Sequence, residues 1–241
     1  ILVSLPKEWI DANNLDKGAQ VEIETANDNI SISTNKEIRP TKELVISYPL
    51  HKEENIVADI TGDITGAYLL GYDVIEINSK SMISGEDREQ IRNSMRRLVG
   101  MEIIEEDASH INMQFLLDST TLNPEKILKR MSSIALGMYD DVTNALISDD
   151  KSNLKSLSNR DIEVNRQYFL LVRLIRSTLV DRRLANTFNL ENIDILDYRV
   201  AANILENAGD IIVELSTLIY NSSLPKDYST KMYDVVRGFN S

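Results

Sequence analysis

The chain contains no cysteine, only two histidines and a single tryptophan among its 241 residues. Without cysteine it forms no disulfide bonds and has no thiolate chemistry, which fits the cytoplasmic location that we predict. His51 and His110 stand far apart in the sequence, so we expect no zinc site. No stretch of 18 or more apolar residues is present, so we expect no insertion into a membrane.

Negative charge predominates, because 38 Asp and Glu face 26 Lys and Arg, for a net charge of −12. This balance argues against broad, non-specific affinity for nucleic acids or acidic membranes, although it allows a small basic patch on one domain. The sequence shows neither a nucleophile–base constellation nor a phosphate-binding loop. We therefore expect a protein that is not an enzyme.

The first third of the chain is patterned for short strands and helices. We predict a strand at 2–5, a short helix in "PKEWIDANN" and a hairpin whose turn lies in "ANDN". Within residues 43–122 we expect four strands and two helices. The strands are at Leu44–Tyr48 and in "YDVIEINS", "MEIIEED" and "HINMQFLLD". The helices are in "GDITGAYLLGY" and "SGEDREQIRNSMRRLVG".

Beyond residue 122 the apolar residues recur at helical spacing, which predicts an antiparallel helical bundle. We expect helices from Pro124, from Leu154 to about Leu184, from Ile193 to Tyr220 and from Pro225. The predicted class is α+β, with domains at 1–42, 43–122 and 123–241.

The predicted third helix of the bundle carries an apolar row and a polar stripe on opposite sides. The row comprises Ala201, Leu205, Ala208, Ile212, Leu215 and Ile219, and the stripe comprises Arg199, Asn203, Glu206 and Asp210. A polar stripe of this kind is common on solvated helix faces. Because Glu206 and Asp210 are one turn apart, they could also present oxygens to one hard cation or iron. Two ligands are too few, so a neighbouring helix would supply the rest.

The predicted second helix offers such ligands. Asp161 and Asn165 are also one turn apart, and they fall on the same side as the apolar residues of that helix. A carboxylate in that position is costly unless it is paired or ligated. Alternatively, Asp161 lies at a wet end of the bundle and faces Arg160 or Arg166.

These two segments resemble the PhoU family. Arg199, Asn203, Glu206 and Asp210 match the motif of the last helix of a PhoU repeat, and Asp161 matches the first position of the acidic motif on the second helix. Asn165 stands where that family usually has Asp, which weakens the site as a metal ligand. The resemblance implies a negative regulator of phosphate uptake that bridges a phosphate ABC transporter and a sensor kinase. It also implies iron or another divalent or trivalent metal ion on the acidic motifs.

The opening stretch resembles AbrB/SpoVT-type swapped-hairpin domains. The motif is carried by Leu5, Pro6, Lys7, Trp9, Leu15, Lys17, Gly18 and Val21. In that family two chains interleave, so a homodimer is implied, and a strand with much of the DNA-contacting charge is expected before Ile1. Lys7 and Lys17 are then the candidate DNA-binding residues. Residues 1–50 nevertheless hold five Lys and Arg against eight acidic residues, and the domain could serve only for dimerisation.

The order of the two domains resembles archaeal PhoU-type regulators. Only one PhoU repeat is evident, so a second lies beyond Ser241, is absent, or is replaced by the repeat of a dimer partner. The resemblance implies a phosphate-responsive transcriptional regulator that binds promoter DNA. The alternative is an adaptor that does not bind DNA and docks on the ATPase subunit of a phosphate transporter or on a signalling kinase.

Overall fold

The computed structural model describes residues 3–26, 29–34, 41–48, 56–148, 150–222 and 225–238. It divides into two compact units, Ile1–Thr41 and Lys42–Ser241. The first contains helix α1 (Lys7–Ala12) and the antiparallel strands β1 (Val21–Ala26) and β2 (Asn29–Thr34). The predicted short helix and hairpin pairing are confirmed, while the expected turn at 27–28 lies outside the described residues.

The first unit has no buried core among its described residues, and Val3, Ile23 and Ile30 are each at least 60% exposed. The predicted strand at 2–5 is wrong for residues 3–5, which are irregular. A strand exists only where another strand pairs with it, and the described sheet of this unit contains β1 and β2 alone. A fold this small cannot bury enough apolar surface by itself.

The second unit opens with a four-stranded sheet. Its strands are β3 (Glu43–Tyr48), β4 (Val74–Ser79), β5 (Met101–Glu106) and β6 (His110–Phe115), in the spatial order β3-β4-β6-β5. The pair β3–β4 is parallel, with helix α2 (Ile56–Leu69) as its crossover, and the other pairs are antiparallel. Helix α3 (Gly85–Met95) packs against α2, and its N-terminus is capped by the Ser84 hydroxyl, which accepts a hydrogen bond from the Asp87 N–H at 3.1 Å.

Helix α2 begins about two turns earlier than the sequence suggests. Gly62 and Gly66 lower its intrinsic helix propensity, each by about 1 kcal/mol relative to alanine. The side chains of Ile64 and Tyr68 are fully buried together with Ile75 and Ile77 of the sheet. Burial of this apolar face outweighs the local cost of the glycines, since tertiary packing supplies most helical stability.

The helical region comprises α4 (Pro124–Ser148), α5 (Leu157–Val180), α6 (Arg182–Phe188), α7 (Asn192–Asn221) and α8 (Lys226–Gly238). Helices α4, α5 and α7 pack on one another, and α8 packs on α4. The α+β class and the C-terminal bundle are thereby confirmed. Among the described residues, no helix combines the length and apolar character needed to cross a bilayer.

The single helix predicted from Leu154 to about Leu184 is interrupted at Asp181. The backbone of this residue is extended, with φ −114° and ψ 101°. Its carboxylate accepts a hydrogen bond from the Arg183 N–H at 3.0 Å and so caps α6. Aspartate is favoured at such a cap position because it satisfies a free backbone N–H group. The capped break ends α5 and starts a second helix.

The buried face of α7 differs from the predicted apolar row. Ile212 and Ile219 are buried as expected, but the row is only partly buried at Ala201, Leu205, Ala208 and Leu215. The innermost positions are instead the small residues Ala202, Gly209 and Ser216, spaced seven apart. Small side chains let helix backbones approach closely, and Gly209 of this face lies against Asp161 and Val164 of α5.

Arg173 of α5 joins the bundle to the sheet region. The side chain is 3% exposed, and its Nη1 donates hydrogen bonds of 2.8 Å to the carbonyl oxygen of Tyr68, in the last turn of α2, and to that of Tyr72, in the turn that follows α2. Its Nη2 lies 3.1 Å from Asp73 Oδ1, and its guanidinium carbon lies 3.9 Å from the ring centre of Phe115. One guanidinium thus satisfies helix-end carbonyls, a carboxylate and an aromatic face.

We predict that Arg173→Met destabilises the protein by about 2–4 kcal/mol, because the half-buried Asp73 carboxylate and two backbone carbonyls each lose a donor. The midpoint of thermal unfolding should fall by roughly 10 °C. Arg176→Met on the same helix is the matched control, since Arg176 is exposed and should change stability by less than about 0.5 kcal/mol. Equal melting temperatures for the two variants would contradict the role given to Arg173.

Candidate functional site

The four candidate metal ligands lie on two helices that pack along each other, Asp161 and Asn165 on α5 and Glu206 and Asp210 on α7. The structure brings Asp161 against Gly209. A Cβ atom at residue 209 would lie 2.6 Å from Asp161 Oδ1. Glycine at this position is therefore what lets the Asp161 carboxylate sit between the helices, next to the turn of α7 that carries Glu206 and Asp210.

One oxygen of the Asp161 carboxylate has no hydrogen-bond partner. Its Oδ2 accepts a hydrogen bond of 3.1 Å from Asn165 Nδ2, whereas Oδ1 is buried and unpartnered. A buried carboxylate oxygen without a donor costs free energy. A bound cation or a proton would relieve this cost.

Electrostatics at the cluster disfavour negative charge. Burial raises the pKa of Asp161, and the charge of Asp210 raises it further, against the lowering effect of the Asn165 hydrogen bond. Burial also raises the pKa of Glu206, with further contributions from Asp210 and Asp161, and Arg199 opposes them. The three carboxylates are thus close enough to repel one another.

The nearest arginines of α5 are engaged elsewhere. Arg160 forms an ion pair with Asp141 of α4, and Arg166 Nη1 lies 3.6 Å from Glu163 Oε2. Arg199 of α7 places its guanidinium carbon 5.2 Å from the ring centre of Tyr168. The structure therefore supports neither Arg160 nor Arg166 as the counterion that the sequence offered for Asp161.

The chemistry of the donors fits a hard cation, because carboxylate and amide oxygens are the ligands such ions prefer. The geometry supplies less than a complete site. Within the described ranges, no three His, Asp or Glu side chains are grouped closely enough to hold one ion. In this arrangement an ion would take fewer than three ligands from Asp161, Glu206 and Asp210, and water would complete its coordination shell.

The two candidate DNA-binding residues lie in the first unit. Lys7 is in the first turn of α1, and Lys17 precedes Gly18, whose φ of +94° requires glycine. Both lysines are exposed, but so are the nearby acidic residues Glu8, Asp11 and Asp16. The described part of this unit has no excess of positive charge.

Gly209, the residue that shapes the cluster, is not among the residues predicted from the sequence. Glu206 and Asp210 are predicted on the side opposite the apolar row, whereas Glu206 is half-buried and close enough to Asp161 of α5 to interact with its charge. The signal was present in the sequence: a glycine inside a long helix, seven residues from Ala202 and from Ser216, is typical of close helix packing.

We predict that Asp161→Asn raises the melting temperature of chelator-treated protein at pH 7, by roughly 1–3 °C, because it removes a disfavoured charge. Because the pKa of Asp161 is raised in the folded state, the folded state binds more protons than the unfolded state between the two pKa values. The free energy of unfolding therefore falls as the pH rises from the unfolded-state pKa through the folded-state pKa. The benefit of the substitution should therefore vanish as the pH is lowered to about 4.

Asp150→Asn is the matched control of opposite sign. The Asp150 carboxylate is exposed and accepts a hydrogen bond from the Ser152 N–H at 3.0 Å, and the Ser152 bonds lower its pKa. Its substitution should leave the melting temperature at pH 7 unchanged or lower it. A lower melting temperature for Asp161→Asn under the same conditions would show that the Asp161 charge stabilises the fold.

Comparison with protein families gives two matches. Residues 128–219 match the model of the PhoU domain, and residues 3–42 match the model described as antidote-toxin recognition MazE, bacterial antitoxin. Searches of the curated proteins and of the solved structures gave no match.

The matched ranges enclose the candidate residues. All four candidate metal ligands lie within 128–219, which extends from the first turns of α4 to the last turn of α7, and both candidate lysines lie within 3–42. Both families are regulatory rather than enzymatic. The chain therefore carries one segment that is similar to the MazE domain and a later segment that is similar to the PhoU domain.

Proposed function

We propose that the protein is a cytoplasmic, phosphate-responsive regulator of phosphate uptake that binds promoter DNA and catalyses no reaction. The observation that carries this proposal is the presence of both domains in one chain. A PhoU domain supports phosphate-related regulation, and a MazE/AbrB-like domain is compatible with DNA binding. Because both domains belong to one chain, a change sensed by the PhoU domain could alter DNA binding by the N-terminal domain directly.

A homodimer is part of the proposal. In the first unit none of the described side chains is buried, and three large apolar residues are mostly exposed. Interleaving with a second copy would give this unit the core that it lacks, since oligomerisation is a common remedy for very small domains. A dimer would also present two copies of Lys7 and Lys17 to the two halves of a DNA site.

The DNA-binding proposal is tested by fluorescence anisotropy of the full-length protein on duplexes from upstream of its own gene and of phosphate-transport genes. We expect selective binding that weakens with salt, because displaced counterions drive phosphate contacts. Lys7→Ala with Lys17→Ala should weaken binding to all sequences and reduce the salt slope by about 1 for each lost phosphate contact.

Lys126→Ala with Lys151→Ala, in the second unit, is the control for loss of positive charge and should leave DNA binding unchanged. Absence of any preference over random DNA, even at low salt, would favour the adaptor. One observation already points that way: the exposed acidic residues around Lys7 and Lys17 oppose phosphate contacts. In that case the first unit only dimerises, and the PhoU domain docks on a transporter ATPase or a signalling kinase.

We further propose that the acidic cluster of Asp161, Asn165, Glu206 and Asp210 binds iron or another divalent or trivalent metal ion. The unpartnered Asp161 Oδ1 and the raised pKa values of Asp161 and Glu206 support this proposal, because a cation offsets both burial and repulsion. When bound, the ion would supply charge neutralisation between α5 and α7.

The metal proposal is tested by the metal content of protein dialysed against ferric iron or Mn²⁺, measured by elemental analysis. Glu206→Ala with Asp210→Ala should abolish binding, because it removes both carboxylates of α7 from the cluster. Asp197→Ala with Glu214→Ala removes two exposed carboxylates of the same helix and should retain full metal content. Full metal content in the first variant would show that the site is assigned to the wrong residues.

A further inference from the structure

Helix α7 exposes a row of large aliphatic side chains on the side away from the bundle. We call it the outer stripe; each member is between 50% and 63% exposed, and it comprises Ile193, Leu196, Val200, Ile204, Ile211 and Leu218. The spacings of three, four and seven residues place the members within one quarter of the helix circumference. Asn207 and Glu214 are the polar residues interspersed on the same face.

The outer stripe is separate from every surface already described. The buried face of α7 is formed by Ala202, Gly209, Ile212, Ser216 and Ile219, on the opposite side of the helix. Among the described residues of the second unit, no element covers the stripe. An apolar row of about 38 Å, interrupted only by Asn207 and Glu214 and rimmed by polar residues, is typical of an interaction surface, whereas single exposed apolar residues are ordinary.

The charge around the stripe is of one sign. Asp197 lies along one edge of the stripe and Asp210 along the other, with Glu214 within it, and all three are exposed. Arg199 is the only basic residue of α7, and it is half-buried over the Tyr168 ring. The stripe is therefore an apolar surface with acidic rims and no exposed cation of its own helix.

This charge pattern decides between two occupants. A second copy of α7 placed on the stripe would bring acidic rims against acidic rims, and like charges facing each other across an interface are unfavourable. A helix with an apolar face and Lys or Arg on both flanks would bury the aliphatic row and pair with the rims. Amphipathic helices are recognised in this way through apolar anchors at i, i+3, i+4 and i+7.

We propose that the outer stripe of α7 docks a basic amphipathic helix of a partner protein. The inference depends only on the helical unit, so it holds whether or not the first unit binds DNA.

The proposal is tested with two labelled peptides of about 20 residues and the full-length protein. Both peptides carry the same aliphatic residues at helical spacing; one has Lys on its flanks and the other has Glu. In anisotropy titrations we expect the Lys peptide to bind at least about tenfold more tightly than the Glu peptide, and this difference to shrink with salt.

Ile204→Ser with Ile211→Ser should weaken binding of the Lys peptide at least about tenfold. Leu136→Ser with Leu179→Ser removes two equally exposed aliphatic side chains from α4 and α5 and should leave binding unchanged. All four positions are at the surface, so circular dichroism should show unaltered folding for both variants. Equal binding of the Lys peptide by the two variants would mean that it binds acidic surface non-specifically, and the proposal would be wrong.

The molecular mass of each variant in solution tests the competing occupant. We expect the stripe variant to keep the mass of the unmodified protein. If instead its mass falls and the Lys peptide does not bind the unmodified protein, the stripe is a contact between copies of this chain, and the proposal is overturned. The DNA-binding experiment is unaffected by either result, because it reports on the first unit.

Discussion

The buried guanidinium of Arg173 is the constraint on which the second unit depends. It reaches from α5 to one carbonyl in the last turn of α2, to one carbonyl in the turn that follows, and to Asp73, with an aromatic ring on one face. A guanidinium that is 3% exposed is strongly destabilising without these partners. Separating the bundle from the sheet would remove them, so Arg173 stabilises the packing of the two regions. Helix α5 then serves both regions: its Val164 side packs in the bundle, while Phe169 contacts the sheet core.

Periodicity was sufficient to predict most elements and the α+β class. Apolar alternation located the strands, helical spacing located α4 and α7, and the family motifs located both matched domains. The errors arose where a non-local partner or a short polar side chain decided the outcome. Residues 3–5 form no strand, since pairing depends on another segment, and Asp181 ends α5 by capping its neighbour.

The candidate site was predictable in its residues but not in its geometry. The motif identified Asp161, Glu206 and Asp210, yet the large apolar residues of α7 suggested a different buried face. Gly209 lets α7 pack closely against α5, and this contact helps to set which face of α7 is buried. Hydrophobic periodicity does not reveal such a contact, because glycine contributes no apolar side chain. The same approach removes Asp161 Oδ1 from solvent. From the sequence alone, a buried Asp161 and an Asp161 at a wet end of the bundle remained two alternatives.

Three faces of α7 now have distinct chemistry: an inner face of small residues, a flank with Glu206 and Asp210, and the outer stripe. Asp210 belongs to two of them, because it contributes negative charge to the cluster and also to one rim of the stripe. A cation held at the cluster would neutralise that rim, and a weaker acidic rim attracts a basic helix less. If the cluster holds a cation and the outer stripe docks a basic helix, as we propose, the shared carboxylate of Asp210 would couple metal occupancy to partner affinity without a change in backbone structure.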